Sequence, residues 1–185
     1  GETPLADPMC GSGTILAEAL MKYCRIPSGY LRQRFGFELM PGFDNNLWKG
    51  VREEEDAGIR DLKPGLISGS DISSAAITMA ADNLSCLPGG GDIILRRTSF
   101  EDIDSMQDQT IITNPPHGIR LKKKDGIEKF IRGFGDFLKQ RCTGSTAYVY
   151  FGDRSLVKKI GLRTSFKQPL RSGGLDGRLC KFVLY

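Results

Sequence analysis

The most constraining feature of this 185-residue chain lies near its start, where PLADPMCGSGT runs into TILAEALMKYC. The short apolar run at 4–7 reads as a buried strand, and it passes directly into a loop with glycines at 11 and 13. From residue 14 the period changes. Ile15, Leu16, Ala19, Leu20 and Tyr23 recur at helical spacing, while Thr14, Glu18 and Lys22 fall largely on other faces. Strand, tight glycine turn and helix form the first half of a βαβ unit, and such units build parallel sheets covered by helices.

The alternation continues along the chain. GLISGSD reads as a buried strand ending on Asp71, and SSAAITMAADNL as a helix with Ser73 or Ser74 as N-cap. DIILRR is a third strand, and TIIT a fourth that runs into Asn114. IEKFIRGFGDFLKQRC predicts a helix that turns Ile127, Phe130, Ile131, Phe134, Phe137 and Leu138 inward. TAYVYF is a fifth strand, DRSLVKKIG a short helix, and RTSFKQPLRSGGLDGRLCKFVLY a closing hairpin. The expectation is an α/β domain, with a mostly parallel sheet, helices on both faces and a C-terminal antiparallel hairpin. One domain fills 1–185, interrupted at about 25–64 by an aromatic-rich insert, FGFELMPGFDNNLW, whose helix ends near Gly58. A chain that starts on its first core strand reads as a domain cut from a longer one.

Composition narrows the function classes. No apolar run approaches the ~20 residues of a membrane helix, and the start lacks a basic-then-apolar signal pattern. The expected location is the cytoplasm, or an organelle or nucleus in a eukaryotic cell. A net charge of +4 is compatible with a nucleic-acid partner. Five scattered cysteines with no CxxC, and one histidine, do not make a zinc constellation, so reduced thiols and no metal are expected.

The glycine loop occupies the place where open α/β sheets bind ligands, at the carboxyl end of a strand. A plain tight turn is the simpler alternative. The loop is not a dinucleotide fingerprint, because the third glycine slot is Leu16, and no lysine makes it a phosphate loop. Asp7, at the strand end, would repel a pyrophosphate and attract an ammonium group. Asp71, ending the next strand, stands where ribose hydroxyls are accepted. A nucleoside carrying a cationic amino acid and no phosphate fits this set, which points to S-adenosylmethionine.

Asn114-Pro115-Pro116 ends the fourth strand, expected beside the first. Two prolines lack N–H groups and fix φ, so the turn is rigid and its carbonyls point in set directions. The Asn114 side-chain carbonyl beside a main-chain carbonyl makes two acceptors aimed at one point, which suits the exocyclic amine of a nucleobase. Holding both protons turns the nitrogen lone pair toward a methyl electrophile. His117 follows directly and is open to three readings: a ring stacked on an extruded base, a general base, or an ordinary turn residue. Its place after Asn-Pro-Pro favours stacking.

Taken together, DPMCGSGT, SGSD and TNPPHG resemble the class I S-adenosylmethionine-dependent methyltransferases that modify exocyclic amines. The chain is more closely similar to the THUMP-associated RNA guanine-N2 methyltransferase group, which includes bacterial enzymes acting on 23S rRNA. RFGFELMPGFDNNLW looks like that group's aromatic insert, and SDISSAAITMAADNL and PLRSGGLDGRLCKFVLY like its second helix and closing hairpin. The resemblance implies a Rossmann-like seven-stranded sheet and methylation of guanine N2 in rRNA or tRNA. N6-adenine methylation of DNA or RNA, or a silent RNA-binding module, are the alternatives. It implies cofactor contacts from Asp7, Pro8, Met9, Cys10, Gly11, Ser12, Gly13, Thr14, Asp71, Ile72, Ser99 and Phe100. The target base falls to Asn114, Pro115, Pro116 and His117. It also implies an RNA-binding domain upstream. Two positions depart from the family pattern: His117 replaces Tyr or Phe, and Ser99 stands where a carboxylate would meet the adenine amino group. The basic loop containing Arg120, Lys122, Lys123 and Lys124 either grips RNA phosphates or is simply solvated.

Overall fold

A computed structural model describes residues 3–116, 124–172 and 175–185. Seven strands form one sheet: β1 (Leu5–Asp7), β2 (Ile67–Asp71), β3 (Ile94–Arg97), β4 (Thr110–Thr113), β5 (Thr146–Phe151), β6 (Phe166–Ser172) and β7 (Leu175–Val183). Their spatial order is β3-β2-β1-β4-β5-β7-β6. The first five pair in parallel, with Leu5 opposite both Ile67 and Thr110, and Thr110 opposite Thr146. β7 runs antiparallel between β5 and β6, with Val183 opposite Thr146 and Lys181 opposite Phe166.

Four helices, α1 (Thr14–Cys24), α2 (Asn45–Ala57), α3 (Ser74–Ser85) and α4 (Lys124–Arg141), connect these strands. The apolar spacing seen in sequence decides where three of them pack. α1 buries Leu16, Ala19, Leu20 and Cys24, and α3 buries Ala80 and Leu84, in one core with Leu5 and Ile67. α4 buries Ile127, Ile131, Phe134, Phe137 and Leu138 in a second core with Ile111, Val149 and Phe182 on the opposite face. Ser73 caps α3, its hydroxyl accepting from the Ala76 amide, as one of the two expected serines.

The link between β3 and β4 holds a short 3-10 turn (Phe100–Asp102). This leaves an open groove of about 590 Å³ along β2 and β3, lined in part by Ser68, Ile94 and Arg96. One element departs from expectation: the segment after β5 is not an α-helix but a 3-10 turn, Arg154–Lys158, started by Asp153 accepting from the Ser155 amide. The insert folds on its own aromatic cluster: Phe35 and Phe37 stack at 5.2 Å, and Trp48 meets Phe37 edge-on at 4.9 Å. α2 buries no residue, and Leu39 and Leu47 stay 90% and 68% exposed. All five cysteines are free thiols, and only Cys86 is exposed. Among the described residues, no helix is long and apolar enough to cross a membrane.

Candidate active site

The sheet order reverses between β1 and β4, so the loops leaving these two strands diverge and open a cleft at their carboxyl ends. The glycine loop forms one wall. Gly11 and Gly13 both take positive φ, 54° and 81°, which other residues reach only with strain. Gly13 also sits so close to α3 that a Cβ there would lie 3.1 Å from the Ala80 side chain. The loop is then pinned from several sides. The Cys10 amide donates to the Ser70 carbonyl at 2.9 Å, and the Asn83 side-chain amide of α3 donates to the Ser12 carbonyl at 2.9 Å.

Asp71 closes the second wall. Its Oδ2 accepts from the Gly11 amide at 3.1 Å and its Oδ1 from the Ser73 amide at 2.9 Å. The carboxylate thus ties the glycine loop to the start of α3 and keeps lone pairs for ribose hydroxyls. Beside it Ile72 is 71% exposed and turns an apolar side chain to the cleft. Ser99 caps the 3-10 turn, its hydroxyl accepting from the Glu101 amide at 3.2 Å. Phe100 is buried edge-on to Phe130 and Phe134.

A cleft of about 500 Å³ joins these parts. Of the residues expected from sequence it brings together Pro8, Met9, Gly11, Asp71, Ile72, Ser99, Phe100, Asn114 and Pro116. Asp7, Cys10 and Pro115 are buried outside the lining, and Ser12, Gly13 and Thr14 also lie outside it, in the loop and at the start of α1. His117, Arg120, Lys122 and Lys123 lie outside the described residues, as does the side chain of Lys124.

Sequence reasoning missed Glu101, which also lines the cleft. It supplies a carboxylate two positions after Ser99, the position that family likeness had marked as lacking one. The run SFEDI carried that signal, but the offset is created by the 3-10 turn. It missed Gly69 as well, where a side chain would collide with Leu16 of α1 and with Cys10. A glycine on β2 leaves room for the Leu16 side chain of α1 against the strand.

Electrostatics favour a cation. Asp7 is 1% exposed, its Oδ1 accepting from the Met9 amide at 3.0 Å. Burial pushes its carboxyl up to about 7, the Thr113 hydroxyl and the Met9 amide pulling the other way and Asp71 adding to the rise. Burial likewise pushes the Cys10 thiol up to about 12, so it is no nucleophile at neutral pH. The lining of the cleft fits S-adenosylmethionine: the Asp71 and Glu101 carboxylates, the apolar side chain of Ile72, and a volume suited to a small ligand.

Comparison with known proteins agrees with this geometry. Residues 1–181 match the family model UPF0020, described as an RMKL-like methyltransferase domain. The chain is 39% identical over its whole length to the "Putative RNA methyltransferase slr0064" of Synechocystis sp., of which it covers 48%. It is 33% identical to the ribosomal RNA large subunit methyltransferase K/L of Methylococcus capsulatus, over 96% of this chain and 24% of that protein. The crystal structure of SMU.472, solved in complex with SAH, superimposes with a TM-score of 0.88 at 25% identity, covering 100% of this chain and 48% of that one. This chain therefore spans half or less of the length of these three relatives.

Proposed function

We infer that this chain, which belongs to the UPF0020 family of RMKL-like methyltransferase domains, uses S-adenosylmethionine to methylate the exocyclic N2 amine of guanine in rRNA or tRNA. The observation that carries the reading is the placement of Asn114, exposed at the end of β4, in the same cleft as Gly11 and Asp71. An amine acceptor and a nucleoside-binding wall that share one cleft suit transfer between the two.

The donor, when bound, supplies a methyl group on a sulfonium sulfur. The chain's own residues do the rest. Asp71 takes the ribose hydroxyls, Ile72 and Phe100 provide apolar contact for the adenine, and Glu101 stands within the cleft to accept from its amino group. The Asn114 side-chain carbonyl and a main-chain carbonyl of the turn accept the two protons of the target amine. The nitrogen lone pair is left facing the methyl group. A new N–C bond forms as the C–S bond breaks, the electron pair stays on sulfur, and the proton that the nitrogen then sheds leaves to solvent. No strong base is needed, because that proton is acidic only after transfer. Positioning carries the acceleration, and Pro115 and Pro116 stiffen the turn that does it.

His117 is assigned to stacking on the extruded base, and Arg120, Lys122, Lys123 and Lys124 to RNA phosphates. An RNA-binding domain upstream belongs to the same proposal, which the greater length of the relatives supports.

The test is transfer of labelled methyl to unmodified rRNA and tRNA transcripts, followed by nucleoside mass spectrometry. N2-methylguanosine is expected, and N6-methyladenosine would overturn the choice of base. Asn114→Ala should lower transfer about 100-fold or more while changing cofactor affinity little, because the lost acceptor positions only the amine. Retained activity in that variant would sink the mechanism.

A further inference from the structure

On the sheet face where α4 covers β4 and β5, no described helix covers β2 and β3. The groove of about 590 Å³ runs there from Gly65, before β2, to Thr98, after β3. Its floor follows from the register. A side chain at Gly69 would collide with Leu16 of α1, so that position faces α1, and its neighbours Ser68 and Ser70 face the groove. Across the β2–β3 pair Ser68 stands opposite Ile94, and Ser70 opposite Arg96. A parallel sheet face built to lie under a helix is apolar along its length. This one carries two hydroxyls and a guanidinium, so it suits a polar occupant.

Two observations show that the groove is incomplete as it stands. Ser70 is 4% exposed, and its Oγ has no hydrogen-bond partner, which buried hydroxyls rarely lack. Arg96 makes no ion pair among the described residues, although Asp102 and Asp104 line the same groove. Opposite charges thus share one groove without meeting. The acidic wall is tied to α4 instead. Arg141 Nη1 donates to the Glu101 and Ile103 carbonyls at 2.8 Å each, and the Met106 amide donates to the Arg141 carbonyl at 2.8 Å. At its upper end the groove meets the cleft, because Thr98 lines both.

Resting on the reading that the chain methylates RNA, we propose that this groove holds a ribonucleotide of the strand that flanks the target: Arg96 and the Ser70 hydroxyl take a phosphate, and Asp102 and Asp104 accept from ribose 2′-hydroxyls. A phosphate with a hydroxyl close by satisfies both sides of the groove at once. Guanidinium and hydroxyl donors suit phosphate oxygens, and RNA, unlike DNA, brings the 2′-hydroxyl that the carboxylates need. DNA would set phosphate charge near two carboxylates with no donor to offset them. The groove therefore selects the polymer as well as binding it, and its continuity with the cleft lets one strand reach both.

The experiment is fluorescence anisotropy of the 185-residue chain with an oligouridylate of about ten nucleotides and with its deoxy counterpart, across a salt series. The ribo-oligomer should bind more tightly. Arg96→Gln should weaken its binding about tenfold and lower the salt slope by about one. Ser70→Ala should weaken it several-fold without lowering the melting temperature, because the hydroxyl has no partner in the free protein. Asp102→Ala combined with Asp104→Ala should bring the affinities for the two oligomers together. Affinity for S-adenosylhomocysteine should stay at the wild-type value in every variant, since all four residues lie outside the lining of the cleft. Equal binding of the two oligomers by the wild type, or unchanged affinity and slope in Arg96→Gln, would overturn the proposal. So would uridine monophosphate binding as tightly as the oligomer, which would assign the groove to a free nucleotide. A chain that holds the oligomer through Arg96 and Ser70 yet transfers no methyl group to RNA would instead overturn the reading of the reaction and leave the groove assigned.

Discussion

Asp7 combines two demands that conflict in water-free surroundings: it is a carboxyl group, and it is sealed beneath a loop with one oxygen unpaired. In the unfolded chain it titrates near 3.8, and in the folded, unliganded domain near 7. A group whose folded pKa is raised adds stability that is fully present below the unfolded value and lost as pH rises through the folded one. The unliganded domain should therefore lose on the order of 3 kcal/mol from this group between pH 5 and pH 8. Urea unfolding of wild type and Asp7→Asn across that window checks it. The variant should be flat where the wild type falls, and should be the more stable of the two at pH 8. A wild type that gains stability with pH would mean that Asp7 is ionised in the absence of ligand.

At the scale of elements, those with a clear apolar period were legible. α1, α3 and α4 lie where helical spacing put them, because each needs one face for the sheet and shows it as a stripe. The glycine loop and the Asn-Pro-Pro turn were legible for a different reason: backbone geometry restricts which residues can occupy them. Less legible was anything set by a neighbour distant in sequence. Gly69 looks like a weak strand residue until Leu16 is packed on it, and Glu101 looks like surface charge until a 3-10 turn swings it into the cleft. α2 is a separate case, a helix held by its N-cap and by Trp48 against the aromatic cluster. Asp44 accepts from the amides of both Asn46 and Leu47, and no residue of the helix is buried. Asp44→Ala should cost about 1 kcal/mol, confined to the insert. Hydrogen exchange should quicken through α2 while the amides of β1, β4 and β5 keep their protection; global loss of protection would show that the insert is part of the main core.

For the whole molecule, one sheet carries a core on each face. Phe182 on β7 is fully buried and meets Phe151 of β5 edge-on at 6.5 Å, so it belongs to the core that α4 covers. Phe182→Ala should destabilise the domain by about 3–5 kcal/mol and lower the melting temperature in a single transition. Two separate transitions would show that the hairpin and the parallel strands fold apart. The place of β7 between β5 and β6 also has a consequence for how a cell makes this protein. Some 30 residues separate the end of β5 from the end of β7. At translation rates of about 5–20 residues per second, the pairing edge of β5 waits roughly 2–6 s for its partner. An open strand edge invites pairing with other chains. The interval between β5 and β7 is therefore one in which the domain is open to aggregation late in its synthesis.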